Sequence, residues 1–560
     1  MSVVDTRHGI GVSPGIAVGP AVQVRPPVRP PEKEQAPADP AAAGQLIRNV
    51  LESVAETLQE RAARADPTAE QILTATAMMA RDPGLATAAD KHLAGGAGPA
   101  TAVDAATEEY CTMFSAAGGY LAERVTDLRD VRDRAVARLL GLQDPGVPEL
   151  TGPCVVVAHD LAPAETAGLQ RDLVLAIVTE SGGPTSHTAI LAAQMGIPAV
   201  VQLPRAVAIS VGTILAVDGS TGEVFVDPDP ATQAKLVERG ERRASALGTT
   251  SGPGATSDGH PVALLANIGT AEDAERAGPL DVEGVGLFRT EFLFLDQETA
   301  PTLEDQIAVY TRVFEAFGSR RMVVRTLDAG ADKPLAFADL GPEENPALGR
   351  RGLRLSAERP DLLDTQLTAL AAAAQATGAD VRVMAPMVAT AEEATWFARR
   401  VRENGLPVVG VMIEVPAAAL RARHVMAEVD FASIGTNDLG QYTLAADRMQ
   451  GELATLLDPW QPAVLDLVAA ACDGGRETGK PIGVCGEAAA DPLLALVLAG
   501  LGVSSLSMAP TRVPAVRAAL AMHDLGTCTA MAAAARAAQS PQDGRDAVLA
   551  LANKLITDLI

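Results

Sequence analysis

The chain has 560 residues, 48% hydrophobic and 21% charged, enough for three or four globular units at roughly 100–200 residues each. Aromatic residues make up only 3%, so the cores have to be built from Ala, Val, Leu and Ile. A net charge of −25 argues against nucleic acid or an anionic membrane as the main partner, and five scattered cysteines without C-x-x-C spacing give neither a disulfide frame nor a zinc site.

The first residues, MSVVDTRHGIG, lack the apolar stretch of a signal peptide, which suggests a cytoplasmic protein with reduced thiols. A β-like run, GIGVSPGIAVGPAVQV, leads into a proline-rich charged arm. Helical spacing follows: LIRNVLESVAETLQERAARA has apolar residues at Leu46, Ile47, Val50, Leu51, Val54 and Leu58, and YLAERVTDLRDVRDRAVARLLGL repeats the pattern. Residues 26–142 therefore read as a helical bundle inserted into another unit. That unit, residues 1–25 and 143–228, resumes with the Val/Ile-rich strands CVVVAHD, LVLAIVTE, AVVQLP, ILAVDG and EVFVDP, interleaved with helical PAETAGLQ and HTAILAAQMG, and is a small α/β domain. Residues 229–259 read as a linker, a polar helix followed by SGPGATSDG, flexible by composition.

From 260 to 560 the rhythm is regular. PVALLANIG, VEGVGLF, RMVVRTLD, VRVMAPM, VVGVMIEVP, DFASIGT, PIGVCGE and SSLSMAP are eight strand-like runs separated by helical segments, the count of a (β/α)8 TIM barrel. The most apolar run, residues 493–503, is too short to span a bilayer, which takes about 20 residues. The fold class is thus multidomain α/β. GGRETGK, residues 474–480, imitates a phosphate-binding loop. It lacks the final Ser or Thr and sits after a helix rather than a strand, so it reads as a helix end.

A barrel keeps its chemistry at the C-terminal ends of its strands. There the sequence places Arg289, Arg325, Asp328, Glu414, Asn437, Asp438 and Cys485, with Lys333 and Arg448 from nearby loops. Two carboxylates, Glu414 and Asp438, suit Mg²⁺, which is typically held by one or two carboxylates together with substrate phosphate and water. Arginines match phosphate and carboxylate. Cys485 is either a proton donor or a small buried apolar residue. The implied ligand is small, anionic and magnesium-bound.

In the α/β unit, SGGPTSHTAILAAQMG places Thr185 and Ser186 as helix caps after a Gly-Gly-Pro turn, with a stop at Gly196. His187 falls in the first helical turn, where the positive helix end keeps imidazole neutral and welcomes phosphate. Attack of that ring on phosphorus would give a phosphohistidine; the alternative is a capping or packing histidine.

GGPTSHTAILA, GVGLFRTEFLF, ENPALGRRGLR, IEVPAAAL, DFASIGTNDLGQYTLAADR and GVCGEAA together resemble enzyme I of the bacterial sugar phosphotransferase system, the phosphoenolpyruvate–protein phosphotransferases. The resemblance implies that His187 is phosphorylated on Nε2 by phosphoenolpyruvate. It implies that Arg289, Arg325, Asn437, Asp438 and Arg448 contact the ligand, that Glu414 and Asp438 hold Mg²⁺, and that Cys485 protonates enolpyruvate to pyruvate. Lys333 and Arg351 match further active-site basic residues. The helical insertion resembles a platform for the phosphocarrier protein HPr, the barrel a dimerisation domain, and the α/β domain a unit that swings between partners. Pro184, Ala193 and Gln194 depart from residues common in the family near the histidine. Two other readings are a phosphoenolpyruvate synthase or pyruvate phosphate dikinase, for which no ATP-binding domain is visible, and an inactive regulatory homologue.

Overall fold

A computed structural model describes the chain except residues 1–4, 64–66, 118–123, 149, 162–168, 170–171, 184–187, 190–191, 193–194, 249, 295–296, 298, 331–334, 339–340, 342, 448–449 and 560. It comprises two units, Met1–Arg242 and Arg243–Ile560.

The first unit contains an eight-stranded sheet. Its strands are β1 (Asp5–His8), β2 (Ile10–Ser13), β3 (Ile16–Gln23), β4 (Cys154–Ala158), β5 (Val174–Thr179), β6 (Ala199–Val201), β7 (Ile214–Asp218) and β8 (Glu223–Val226), in the order β1-β8-β7-β3-β4-β5-β6-β2. The central run β3 to β6 is parallel and the flanking pairs are antiparallel. Strict alternation gives each strand two faces. Val155 and Val157 enter one apolar cluster, and Cys154, Val156 and Ala158 the other.

Between β3 and β4 the chain forms helices Pro40–Ala62, Pro67–Ala80, Pro83–Ala94, Pro99–Ala117 and Val125–Leu139. Three of them begin at an Asp-Pro step, and two of those aspartates are among the described residues. Asp39 accepts from the Ala41 and Ala42 N–H groups and Asp82 from Gly84, while each proline supplies a helical φ without wasting a donor. The buried stripe of the first helix is Ile47, Leu51, Val54 and Leu58. Leu46, counted with that stripe from its spacing, instead faces solvent.

The second unit is a closed parallel barrel of β9 (Ala263–Ile268), β10 (Gly284–Arg289), β11 (Arg321–Arg325), β12 (Asp380–Ala385), β13 (Val408–Ile413), β14 (Phe431–Ile434), β15 (Ile482–Val484) and β16 (Ser505–Met508), with β16 pairing back onto β9. The (β/α)8 expectation is met. T-x-x-D/E sequences start three of the outer helices as capping boxes: Thr270 with Asp273, Thr302 with Asp305, and Thr390 with Glu393. The main core lies between strands and helices, and a smaller cluster fills the lumen: Leu287, Val323, Met384, Met412, Phe431 and Cys485.

GGRETGK ends the helix Pro462–Thr478, with Gly479 in the left-handed cap at φ +67°. Residues 251–259, flexible by composition, are tied down. Gly252 and Gly254 donate to the carboxylates of Asp281 and Glu283 at 2.8 and 2.9 Å, and Ala255 bridges to Pro261. Their glycines serve close packing there as well as turning. Among the described residues no helix is long and apolar enough to cross a membrane.

Candidate active site

The upper mouth of the barrel holds a cavity of about 340 Å³ lined by Arg289, Arg325, Glu414, Asn437, Asp438 and Cys485. Each arrives from a strand end. Arg289 and Arg325 are the last residues of β10 and β11; Glu414 and Cys485 directly follow β13 and β15. Asn437 and Asp438 lie in the first turn of the helix Thr436–Leu444 that follows β14. Arg289 and Asn437 are exposed to the cavity, whereas Arg325, Glu414, Asp438 and Cys485 are buried in its wall.

The buried groups form one network. Arg325 Nη2 meets Glu291 Oε2 at 2.9 Å, and Nη1 meets Asp328 Oδ2 at 3.3 Å. Arg351 donates from Nε and Nη2 to the two oxygens of Asp328, both at 3.1 Å, and from Nη1 to Asp438 Oδ1 at 3.1 Å. Arg351 thus stands behind the cavity and holds Asp438, which lines it, and Asp328, which pairs with Arg325. Glu291 Oε1 also accepts from the Asp328 N–H at 2.8 Å. Glu414 Oε2 accepts from the Met387 N–H at 2.8 Å. Met387 has φ +57°, a left-handed conformation costing on the order of 1–3 kcal/mol, which is backbone strain at the point that aims this carboxylate. Opposite it, a Cβ on Gly435 would lie 2.7 Å from Glu414 Oε1, so only glycine leaves that oxygen its place.

Burial sets the protonation behaviour. It pushes the Glu414 carboxyl up to about 8, helped by the Asp438 and Asp328 charges and opposed by Arg325 and the Met387 N–H. Burial likewise pushes the Cys485 thiol up to about 11, against a hydrogen bond from Ser433 and with Glu414 adding to the rise. It keeps this thiol protonated at neutral pH. For Arg325, burial opposes the charge, but Glu291, Asp328 and Glu414 outweigh it and hold the group above its usual range. Among the described residues, the buried Arg325 Nε and Thr436 Oγ1 have no partner, leaving one donor and one hydroxyl at the site uncommitted.

Two arginines and three carboxylates, the buried Glu414 and Asp438 and the exposed Glu487, line one cavity and fit an anion that arrives with a cation. No three His, Cys, Asp or Glu residues among those described form a self-sufficient metal site. A cation here would draw on Glu414, Asp438 and its ligand, as Mg²⁺ typically does.

His187, Lys333 and Arg448 lie outside the described residues, as do Pro184, Ala193 and Gln194. Around position 187, Gly182 turns at φ +91°, Thr188, Ala189, Ala192 and Met195 are helical, and Gly196 has φ +65°. Sequence reasoning passed over Glu291 and Asn267. Glu291 stands two residues after Arg289 and holds Arg325. Asn267, near the end of β9, donates to the Cys485 carbonyl at 3.1 Å and fixes the backbone that carries the thiol. The signal for both was the strand-end rule already applied to their neighbours.

Three family models cover most of the chain. They are the phosphoenolpyruvate-binding domain of phosphoenolpyruvate-utilising enzymes over residues 244–525, the N-terminal domain of the same enzymes over 8–124, and their mobile domain over 150–222. The chain is 53% identical to a phosphoenolpyruvate-protein phosphotransferase of Streptomyces coelicolor, covering 98% of this chain and 99% of that one. It is 42% identical to one of Haloferax volcanii, over 76% of each chain, and 39% identical to one of Haemophilus influenzae, over 71% and 72%.

Proposed function

Because the chain belongs to the phosphoenolpyruvate–protein phosphotransferases, the enzyme I members of the phosphoenolpyruvate-utilising enzymes, we propose that the upper barrel cavity binds phosphoenolpyruvate and that His187 takes its phosphoryl group. The observation that carries this reading is one cavity in which two arginines, the two buried carboxylates Glu414 and Asp438, and a protonated thiol converge. Catalysis of phosphoryl transfer is mainly positioning and charge stabilisation, and this is a set of groups made for both.

Arg289 and Arg325, which both line the cavity, bind the phosphate and carboxylate of the ligand. Asn437 contacts the ligand at the rim, joined by Arg448 and Lys333 from the loops. Arg351 orients Asp438 from behind. Glu414 and Asp438 would hold Mg²⁺. The fit rests on Glu414, whose buried carboxyl is driven up to about 8 and so calls for a cation if it is to be ionised at neutral pH. When bound, the ion neutralises phosphate charge as the P–O bond breaks.

Nε2 of His187 attacks phosphorus, forming a P–N bond as the bond to the enol oxygen breaks. The enolate collapses to pyruvate by taking the Cys485 proton on its methylene carbon, and the thiolate regains a proton from solvent. The phosphoryl group then passes from His187 to HPr, which docks on the helical bundle of residues 26–142. The chain's negative charge favours a basic carrier. The α/β unit of residues 1–25 and 143–228 carries His187 between the two partners, and residues 229–259 join it to the barrel of residues 260–560, through which two chains dimerise in the cytoplasm.

The test is incubation with radiolabelled phosphoenolpyruvate and Mg²⁺. Acid-labile label is expected on the wild type and absent from His187→Ala. Equal labelling of the alanine variant would remove His187 as the acceptor.

A further inference from the structure

The barrel has a second cavity, of about 140 Å³, at the opposite, N-terminal end of its strands. Its lining follows from the two-residue period of a strand. Val323, Met384 and Cys485 belong to the apolar cluster inside the lumen. Two residues before each stand Arg321, Arg382 and Gly483, all of which line the lower cavity. Ser433, Ser505 and Ser507 complete its polar wall. Barrel lumens are normally filled at this level by branched apolar side chains. Here two positions are glycine, and hydroxyls occupy the space a side chain would take. A Cβ on Gly483 would lie 2.5 Å or less from Ser505 Oγ, and one on Gly286 would lie 2.5 Å from Ser507 Oγ.

Several of these groups are already committed. Arg382 uses Nε and Nη2 on Asp380, and Ser507 donates to the Ala266 carbonyl or to Asn267 Oδ1. The nearby Glu283 accepts from the Gly254 and Leu264 N–H groups. Among the described residues, no acceptor lies within hydrogen-bond distance of the Arg321 guanidinium, and none is seated on the Ser505 hydroxyl. Arg321 is half-buried, and burial and the Arg382 charge weaken its hold on its proton, while Glu283 and Asp380 act the other way. Those two carboxylates are hydrogen-bonded elsewhere, Glu283 to backbone N–H groups and Asp380 to Arg382, so neither is hydrogen-bonded to Arg321.

The upper and lower cavities share no lining residue, and the apolar cluster containing Leu287, Met384 and Met412 lies between them. The lower volume is several times the roughly 30 Å³ of one liquid water. It falls well short of the roughly 300 Å³ at which pockets for larger organic ligands begin.

We propose that the lower cavity is a binding site for a small oxyanion of the phosphate class, held by the Arg321 guanidinium fork and the Ser505 hydroxyl, with Arg382 adding charge. The site is independent of the reading given to the upper cavity.

The test is equilibrium dialysis of the full-length chain against radiolabelled inorganic phosphate, with EDTA present and ionic strength fixed by chloride. Arg289→Met disables the upper mouth and serves as the background. On that background one saturable phosphate site is expected, at least tenfold weaker once Arg321→Met is added. Adding Ser505→Val instead, which keeps both arginines and replaces the hydroxyl by a larger apolar side chain, is expected to weaken it as well. Circular dichroism of each variant checks folding, and Ser505→Val carries the test if Arg321→Met does not fold. No saturable binding to Arg289→Met, or unchanged affinity in a folded double variant, overturns the proposal.

Discussion

The two ends of the barrel are built from the same eight strands yet solve opposite problems. At the upper end the loops after the strands are long enough to bring in Glu291, Asp328, Arg351 and Asp438, and nearly every buried charge there is held by another. At the lower end the chain arrives from helices through short turns. It leaves serines, glycines and two arginines, only one of which has a carboxylate hydrogen-bonded to it. The upper end is therefore a charge network whose members depend on one another; the lower end is a set of separate donors. The difference predicts how each end responds to losing an arginine.

The largest effect is expected from Arg325→Met. It leaves Glu291, Asp328 and Glu414 buried without their shared cation, and breaking a buried ion pair costs about 3–5 kcal/mol. Phosphoenolpyruvate-dependent labelling should fall at least about 1000-fold. The unfolding midpoint in urea should drop accordingly, while Arg321→Met at the other end should change stability by no more than about 1 kcal/mol. Equal midpoints for the two variants would erase the contrast between network and separate donors.

Next in size is Cys485→Ala. Proton transfer by a positioned group is worth about 10²–10⁴-fold, so pyruvate release should slow by that order, with phosphoenolpyruvate affinity changed less than about threefold. Near-normal release would return Cys485 to the role of a lumen-filling apolar residue, which its membership in the apolar cluster also allows. A smaller and cleaner effect belongs to Arg289→Met. The side chain is exposed and, among the described residues, stands outside the ion-pair network, so stability should stay within about 0.5 kcal/mol. The loss of one charge-assisted hydrogen bond to ligand, about 1.5–3 kcal/mol, should appear as a roughly 10- to 100-fold weaker phosphoenolpyruvate affinity by calorimetry.

Much of this was legible from residue order. Eight Val/Ile-rich runs, five of them ending in polar or ionisable residues, imply both the barrel and the rim, because strand period and the strand-end rule are local properties of sequence. Arg351 shows where locality stops. It lies in a loop, at no strand end, and reaches Asp328 and Asp438, which are 23 and 87 positions away. Only the family resemblance picked it out. Glu291 was passed over because a carboxylate two residues after an arginine looks like an exposed helix start until the fold turns it onto Arg325. The lower cavity was invisible for a related reason. Serine and glycine in a strand carry no signal unless closure of the barrel makes them face one another. Leu46 errs the other way: spacing alone admits two neighbouring positions to a helical stripe, and packing keeps Ile47 and leaves Leu46 in solvent.

Ser433 is the residue that touches both ends, and its loss should give the smallest measurable effect. It lines the lower cavity, and its hydroxyl bonds the Cys485 thiol that faces the upper one. That bond favours the thiolate, but burial outweighs it and holds the thiol at about 11. Ser433→Ala therefore moves the thiol further up, making it a weaker acid. Pyruvate release near pH 7.5 should slow by about two- to tenfold, since only part of a hydrogen bond to a charged group is realised in the proton-transfer transition state. The alkaline decline of the rate, where it follows loss of the thiol proton, should shift to higher pH. A shift to lower pH would mean that Ser433 accepts from the thiol instead of donating to it. The decisive comparison is Ser433→Ala in the Cys485→Ala background, where no thiol remains to be tuned. The hydroxyl should then have no effect on rate, because the two residues act as one unit. An equal slowing in both backgrounds would show that Ser433 acts through packing of the lumen, and the two ends of the barrel would be chemically as well as spatially separate.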